Sequence, residues 1–145
     1  MIRFGGTTDE VQYDGQTRNG ERWGQGRLYY RDGSVYEGDF REGFRHGKGS
    51  IFLNGISLYE GEWHYDQIHG EGYVKSLKCL SGNCPSIFNE ASFCGNLANN
   101  HFHGIGTIFI NPREKIVTKF INGVPTGELT YYNLKDIEFG VWPCE

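Results

Sequence analysis

The chain lacks an excess of basic residues. Its 14 Lys and Arg are outnumbered by 18 Asp and Glu, which gives a formal net charge of −4. A protein that binds nucleic acid or anionic lipid mainly through charge needs clustered cations. The composition therefore argues against nucleic acid as a partner and against electrostatic attachment to membranes.

The chain also lacks a long hydrophobic run. Its start, MIRFGGTTDE, has no apolar stretch of signal-peptide length, and no segment approaches 18 consecutive apolar residues. We therefore expect a soluble cytoplasmic protein. In that compartment cysteines are expected to be reduced thiols, and the chain has four: Cys79, Cys84, Cys94 and Cys144.

What the chain has in abundance is glycine and aromatic residues, with 22 Gly and 15% Phe, Tyr and Trp in 145 residues. Glycine costs about 1 kcal/mol in a helix interior relative to Ala, and aromatic residues favour strands. The length is that of one domain. The composition indicates an all-β domain.

One 23-residue pattern recurs five times, and its clearest copy reads YEGDFREGFRHGKGSIFLNGISL. The copies begin at Tyr13, Tyr36, Tyr59, Phe93 and Ile116. The only break in the period is an 11-residue insertion in the third copy. Such self-similarity is typical of stacked arrays, in which each unit buries its apolar face against its neighbours. Arrays of this kind usually bind partners and seldom catalyse reactions.

Each copy predicts two strands. Counted from the first residue of a copy, positions 1, 3 and 5 of the second and third copies carry aromatic, Gly and aromatic residues, and positions 12, 14 and 16 of the first four copies carry Gly, Gly and an aliphatic residue. Residues two apart share one face of a strand, and the positions between them are polar, as in Glu60 and Glu62. Hairpin turns are predicted at Asn and Asp followed by Gly, and at Glu42-Gly43. The glycines leave room for an aromatic ring to cross the backbone, which predicts a ladder of rings.

These segments resemble the MORN repeat (membrane occupation and recognition nexus), whose pattern is close to YEGxWxxGxxHGxGxxxxxxG. The resemblance implies an elongated, single-layer antiparallel meander of successive β-hairpins, with the aromatic and glycine face lining a shallow groove. It also implies a scaffold in a cytoskeletal or ciliary assembly. The predicted organisation is an N-terminal cap over 1–12, the five-copy array over 13–135 with a loop insertion at 76–91, and a C-terminal cap over 136–145.

Partner binding is the function that we favour, with a helix or extended segment of another protein as ligand. Rigid aromatic side chains bury much area at low entropic cost. The predicted binding residues are Tyr36, Phe40, Tyr59, Trp63 and Phe93, although the same rings could form the core. A second aromatic stripe, at position 17, is expected on the opposite face: Tyr29, Phe52, Phe109 and Tyr132. The alternative function is a peripheral membrane or phosphoinositide-binding module, and unpaired edge strands would allow self-association.

Catalytic and cofactor sites are disfavoured. Cys79, Cys84, Cys94, His101 and His103 could surround zinc, but the chain has no CxxC pair. The histidines at position 11 recur with the period, so a structural role is expected, such as a hydrogen bond to a turn carbonyl. The acidic even positions are interpreted as a solvated face, and GFRHGKGS lacks the register of a phosphate loop. We predict no enzyme activity, no cofactor and no metal.

Overall fold

The computed structural model describes residues 9–75 and 91–133, which form a single ten-stranded sheet. The strands follow each other in chain order and each pairs antiparallel with the next. The described residues contain no helix, and hence no helix that could span a membrane. The strands are β1 Glu10–Arg18, β2 Glu21–Tyr30, β3 Ser34–Arg41, β4 Phe44–Leu53, β5 Ile56–His64, β6 Gln67–Val74, β7 Ser92–Ala98, β8 His101–Asn111, β9 Glu114–Ile121 and β10 Val124–Asn133.

The predicted fold class is confirmed, because the sheet is one open all-β meander with two strands per copy. The fifth copy, which departs most from the pattern, still forms the hairpin β9–β10. β1 begins at Glu10, so the end of the predicted N-terminal cap belongs to the first strand. The rest of that cap, the insertion up to residue 90 and the whole C-terminal cap lie outside the described residues.

The turns inside the copies have the left-handed backbone that two-residue hairpins require. Asn19-Gly20 has φ values of 52° and 78°, and Asn122-Gly123 has 48° and 84°. Tyr65-Asp66 and Asn99-Asn100 adopt the same conformation without glycine. The first result confirms the predicted turns. The second shows that the turn forms without glycine, and at Tyr65 the fold imposes it on a residue that does not favour it.

The core lies on one face of the sheet, here called the inner face. Most of its apolar side chains come from positions 1, 5 and 16 of successive copies and interlock across strands. Edge-to-face ring pairs connect Tyr13 to Phe40, Phe40 to Tyr36, Tyr36 to Trp63 and Trp63 to Tyr59, with centroid distances of 5.0–5.4 Å. The predicted ladder therefore exists, with edge-to-face contacts between its rings.

Glycine at position 14 makes this packing possible. A Cβ atom on Gly49 would lie closer than 3.0 Å to the Tyr36 hydroxyl and to its ring carbons, a separation that real Cβ atoms do not show. The expectation that glycine leaves space for a ring is correct here. At position 12 the requirement is conformational, since Gly47 has a φ of 99° and adjoins an irregularity in the pairing.

Candidate partner-binding face

The five predicted binding residues lie in the core of the sheet. The exposed fractions are 0% for Tyr36, Tyr59 and Phe93, 3% for Phe40 and 4% for Trp63. Of the two roles considered for these rings, the core role is the one that their burial demonstrates. Contact between a partner and these rings stays a prediction.

The polar atoms of the inner rings are also satisfied internally. The Tyr36 hydroxyl donates to the Asp39 carbonyl at 2.7 Å, and the Tyr59 hydroxyl donates to the Glu62 carbonyl at 2.8 Å. Burial raises the pKa of both hydroxyls, so they stay protonated donors. Trp63 Nε1 donates to the Gly49 carbonyl at 3.1 Å. The polar atoms of these three rings are therefore hydrogen-bonded to backbone carbonyls within the core.

The opposite, outer face carries a groove that runs across the strands. The residues at positions 2, 4, 13 and 15 alternate with inner-face residues and form its walls, while the glycines of positions 3 and 14 form its floor. Two depressions of about 360 and 390 Å³ share Glu60 and Glu71 and follow one another from β4 to β8. We call this feature the glycine groove. The side chains that line it include Lys48, Glu60, Glu62, Glu71, Tyr73 and Ile105.

The middle of the glycine groove is acidic. The depression between β4 and β6 is lined by Glu60, Glu62 and Glu71 and by one cation, Lys48, so three negative charges and one positive charge leave −2. None of these three carboxylates forms an ion pair with another residue of the described ranges. The groove therefore presents negative charge to solvent over a glycine floor.

Some of the acidic side chains also support the backbone. Asp39 Oδ2 accepts a hydrogen bond from the Lys48 amide at 3.0 Å, and Glu62 Oε2 accepts one from the Glu71 amide at 2.6 Å. In the first copy the Gln16 side chain does the same for the Gln25 amide at 2.8 Å. The interpretation of the acidic positions as a solvated face is thus incomplete, because position 4 satisfies an amide that follows the left-handed glycine.

The second aromatic stripe lies on the outer face, as its alternation with buried residues predicts. Tyr29 and Phe52 both pair in register with Val35 of β3, and both are half-buried. Phe109 is half-buried and Tyr132 is 45% exposed, and both pair in register with Lys115. The stripe therefore runs beside the glycine groove, and its role in binding stays a prediction.

The recurring histidines hold the turn of the following copy. Nδ1 of His46 accepts a hydrogen bond from the Tyr65 amide at 3.2 Å, and Nδ1 of His103 accepts one from the Asn122 amide at 3.4 Å. His69 and the Asn99 amide make the same contact at 3.4 Å. A structural role was expected, but the proposed carbonyl partner is wrong, since each ring accepts a hydrogen bond from a backbone amide.

The cysteine and metal predictions have separate outcomes. Cys94 is disulfide-bonded, so the expectation of a reduced thiol is wrong for this residue. The other three cysteines lie outside the described residues. Within 9–75 and 91–133, no group of three or more His, Cys, Asp or Glu side chains could hold a metal ion.

The sequence interpretation missed the groove, although a signal for it was present. Glu60 and Glu62 flank Gly61, and the same acid-Gly-acid pattern occurs at Glu37-Gly38-Asp39. The pattern places carboxylates on the face of the sheet opposite the rings, on both sides of the row of glycines. The resemblance implied a groove on the aromatic face, but the rings close that face.

Comparison with known proteins supports the repeat assignment. The family model described as MORN repeat matches residues 13–35, 36–53 and 59–73, and each match begins at the first residue of one of the first three copies. No curated protein matches the chain. The repeats of this family are non-enzymatic modules that generally bind proteins or membranes.

Proposed function

Because this chain is a MORN-repeat protein, we propose that it is a non-catalytic scaffold that binds a segment of a protein partner. The bound segment is a helix or an extended stretch. The scaffold holds it within a larger intracellular assembly, of which a cytoskeletal or ciliary assembly is the kind that the family resemblance favours. Among the described residues β1 and β10 are the outermost strands of the sheet, and their edges offer a route for self-association in such an assembly.

The glycine groove is the observation that carries this proposal. The five predicted rings of the inner face are at most 4% exposed, whereas the outer face offers two adjoining depressions whose carboxylates form no ion pair within the described ranges. A sheet with ten consecutive strands holds such a surface rigidly, so binding costs little ordering of the scaffold. The partner-binding site that we propose is therefore the outer face, with the position-17 stripe beside it.

The first test compares proteins captured from native cells by the wild-type chain and by two folded variants. Glu60→Lys/Glu71→Lys changes the groove, and Glu21→Lys/Asp9→Lys places the same charges on exposed acidic residues outside it. We expect the wild type and the control to capture the same defined set of proteins, and the groove variant to lose it. A variant of the ladder such as Tyr59→Ala/Trp63→Ala is unsuitable, since it would remove buried core side chains.

The outcome separates the scaffold from the membrane alternative. If the wild-type chain captures no protein but floats with phosphoinositide vesicles, the scaffold proposal is wrong and the membrane role takes its place. A captured protein that forms a stoichiometric complex with the purified chain supports the scaffold.

A further inference from the structure

We propose that the occupant of the glycine groove is a basic protein segment that also carries apolar side chains. This inference rests on the proposed scaffold function and adds the chemistry of the partner. Lysine or arginine side chains of the segment would face Glu60, Glu62 and Glu71, and its apolar side chains would face Tyr73 and Ile105.

The position of the carboxylates supports this choice. Glu60 and Glu62 stand on the two sides of Gly61 in β5, and Glu71 stands on the neighbouring strand β6. Like charges gathered in one depression repel one another when no cation is present. Lys48 lies directly across from Glu62 in the pairing of β4 and β5, but it forms no ion pair with it. Cations from a partner would relieve the repulsion, and complementary charge gives an interface its specificity.

The other end of the groove is uncharged. At β7 and β8 the groove is lined by Cys94, Gly95, Asn96, Ile105, Gly106 and Thr107, and Ile105 is 67% exposed. An exposed isoleucine is a suitable contact for an aliphatic side chain of a partner. The groove thus changes from acidic at β4–β6 to uncharged at β7–β8, which favours a segment with cations at one end and apolar side chains at the other.

The length of the groove sets the length of the segment. Five strands at about 4.8 Å spacing give a groove about 19 Å long, from β4 to β8. An α-helix of about 13 residues, or about 6 extended residues, spans this distance. A phosphorylated lipid headgroup would bring negative charge to a negative groove, so a membrane is the less suitable occupant.

The test uses the full chain and two labelled peptides of about 20 residues, long enough to span the groove as helices. One carries lysine and leucine at helical spacing, and in the other every lysine is replaced by glutamate. Fluorescence anisotropy gives the affinity of each peptide at about 0.05 M and about 0.5 M salt. We expect the basic peptide to bind at least about tenfold more tightly than the acidic one and to weaken at high salt.

Two variants locate the site. Glu60→Gln/Glu71→Gln should weaken binding of the basic peptide by about tenfold, and Glu60→Lys/Glu71→Lys should abolish it. The matched control Glu21→Gln/Asp9→Asn should leave the affinity unchanged. Circular dichroism spectra that match the wild type would show that each variant is folded.

The contrary outcomes distinguish this inference from the scaffold function. Equal affinity for the two peptides, or an affinity that the groove variants do not change, would overturn the inference. If Glu60→Lys/Glu71→Lys still captures the wild-type set of cellular proteins, the groove inference is wrong and the scaffold function stands. If the wild type captures no protein, the scaffold function itself is wrong.

Discussion

At the scale of single residues, glycine has two distinct functions within each copy. At position 14 the absence of a Cβ atom allows a tyrosine ring to lie on the backbone, as Tyr36 does on Gly49. At position 12 glycine permits the left-handed conformation seen at Gly47, next to a pairing irregularity. These functions predict different tolerances to substitution.

Gly49→Ala tests the requirement for space. The new methyl group would overlap the Tyr36 ring, so we expect a loss of about 1–3 kcal/mol in the free energy of unfolding, measured in urea. The matched control is Gly55→Asn, at a turn glycine with φ of 76°, where a Cβ atom would meet nothing within 4 Å beyond the adjacent residues. Asparagine tolerates this conformation, so the control should change stability by less than about 0.5 kcal/mol. Equal stability of Gly49→Ala and wild type would contradict the proposed ring packing.

At the scale of strands and turns, each copy holds the hairpin turn of the next one. The amide at position 8 donates to the carbonyl at position 10 of the preceding copy, from Asp66 to Arg45 at 2.9 Å and from Asn100 to Ile68 at 3.1 Å. Side chains add to this connection. Asp66 Oδ1 accepts from the Arg45 amide at 2.9 Å and from its Nε at 3.1 Å, and the buried guanidinium lies over the Trp63 ring.

Asp66→Gly tests whether the contacts of Asp66 with Arg45 outweigh the preference of the turn for glycine. Glycine is the residue at this position in three of the five copies and suits the φ of 67°. Turn propensity alone therefore predicts stabilisation. We expect instead a loss of about 2–3 kcal/mol, because the buried Arg45 loses its carboxylate. Asn100→Gly should cost only about 1 kcal/mol, since Asn100 Oδ1 accepts one bond, from the Ile68 amide. Urea unfolding that ranks the two variants in the reverse order would refute the proposed role of Arg45 and Asp66.

The contact of His46 with the Tyr65 amide predicts a loss of stability in acid. Burial and the neighbouring His64 and Arg41 lower the pKa of His46, while Glu42 raises it, so the unfolded chain binds the proton more readily than the folded one. The stabilisation is therefore present above about pH 6.5, the pKa of an unperturbed histidine, and decreases as the pH falls towards the folded pKa. Thermal unfolding of His46→Phe should show a smaller decrease in this range, by less than about 1 kcal/mol.

His101→Phe is the control for that measurement. His101 Nδ1 faces the Asn99 carbonyl at 2.8 Å, whereas His46 Nδ1 faces a turn amide. His101→Phe removes an imidazole without removing an amide contact, so its acid sensitivity is the baseline for His46→Phe. The role of His46 would be refuted if His46→Phe and wild type lost equal stability between neutral and mildly acidic pH.

At the scale of the whole molecule, the sheet is an array in which each strand pairs only with its neighbours in sequence. Stability in such arrays is approximately a sum of unit and nearest-neighbour terms. The copies are therefore interchangeable wherever their contacts match. Arg22 and Arg45 both occupy position 10, so either can face Asp66 of the third copy.

Deletion of one full period tests this modularity. Removal of residues 39–61 takes out 23 of 145 residues and joins Gly38 to Glu62 in phase. We expect a folded protein whose denaturant m-value is about one sixth smaller. Removal of residues 39–60 joins Gly38 to Gly61 one residue out of phase, which turns the following side chains to the wrong face. That variant should lose its cooperative unfolding transition, and equal cooperativity of the two would contradict a register set by the repeat.

The repeat in the sequence determined most of the fold. Aromatic residues and glycines at even spacings specify which side chains share a face, and turn residues at a fixed period specify where the chain reverses. Local chemistry is sufficient for this, because every strand pairs with the strand next to it in sequence. The ten strands and the ring ladder could therefore be predicted. The Tyr65-Asp66 turn could not, because its stabilising contacts come from Arg45 in the preceding copy.

Only the tertiary structure decided which face of the sheet is open. Both faces carry aromatic residues in the sequence, and the pattern alone did not show whether Tyr36 and Tyr59 are exposed or covered. Their burial depends on rings contributed by neighbouring copies, and so does the use of their hydroxyl groups. Packing between copies closes the ring face, because interlocked rings exclude solvent, and it leaves the carboxylates of Glu60 and Glu71 on the other face, beside a groove whose floor is strand backbone.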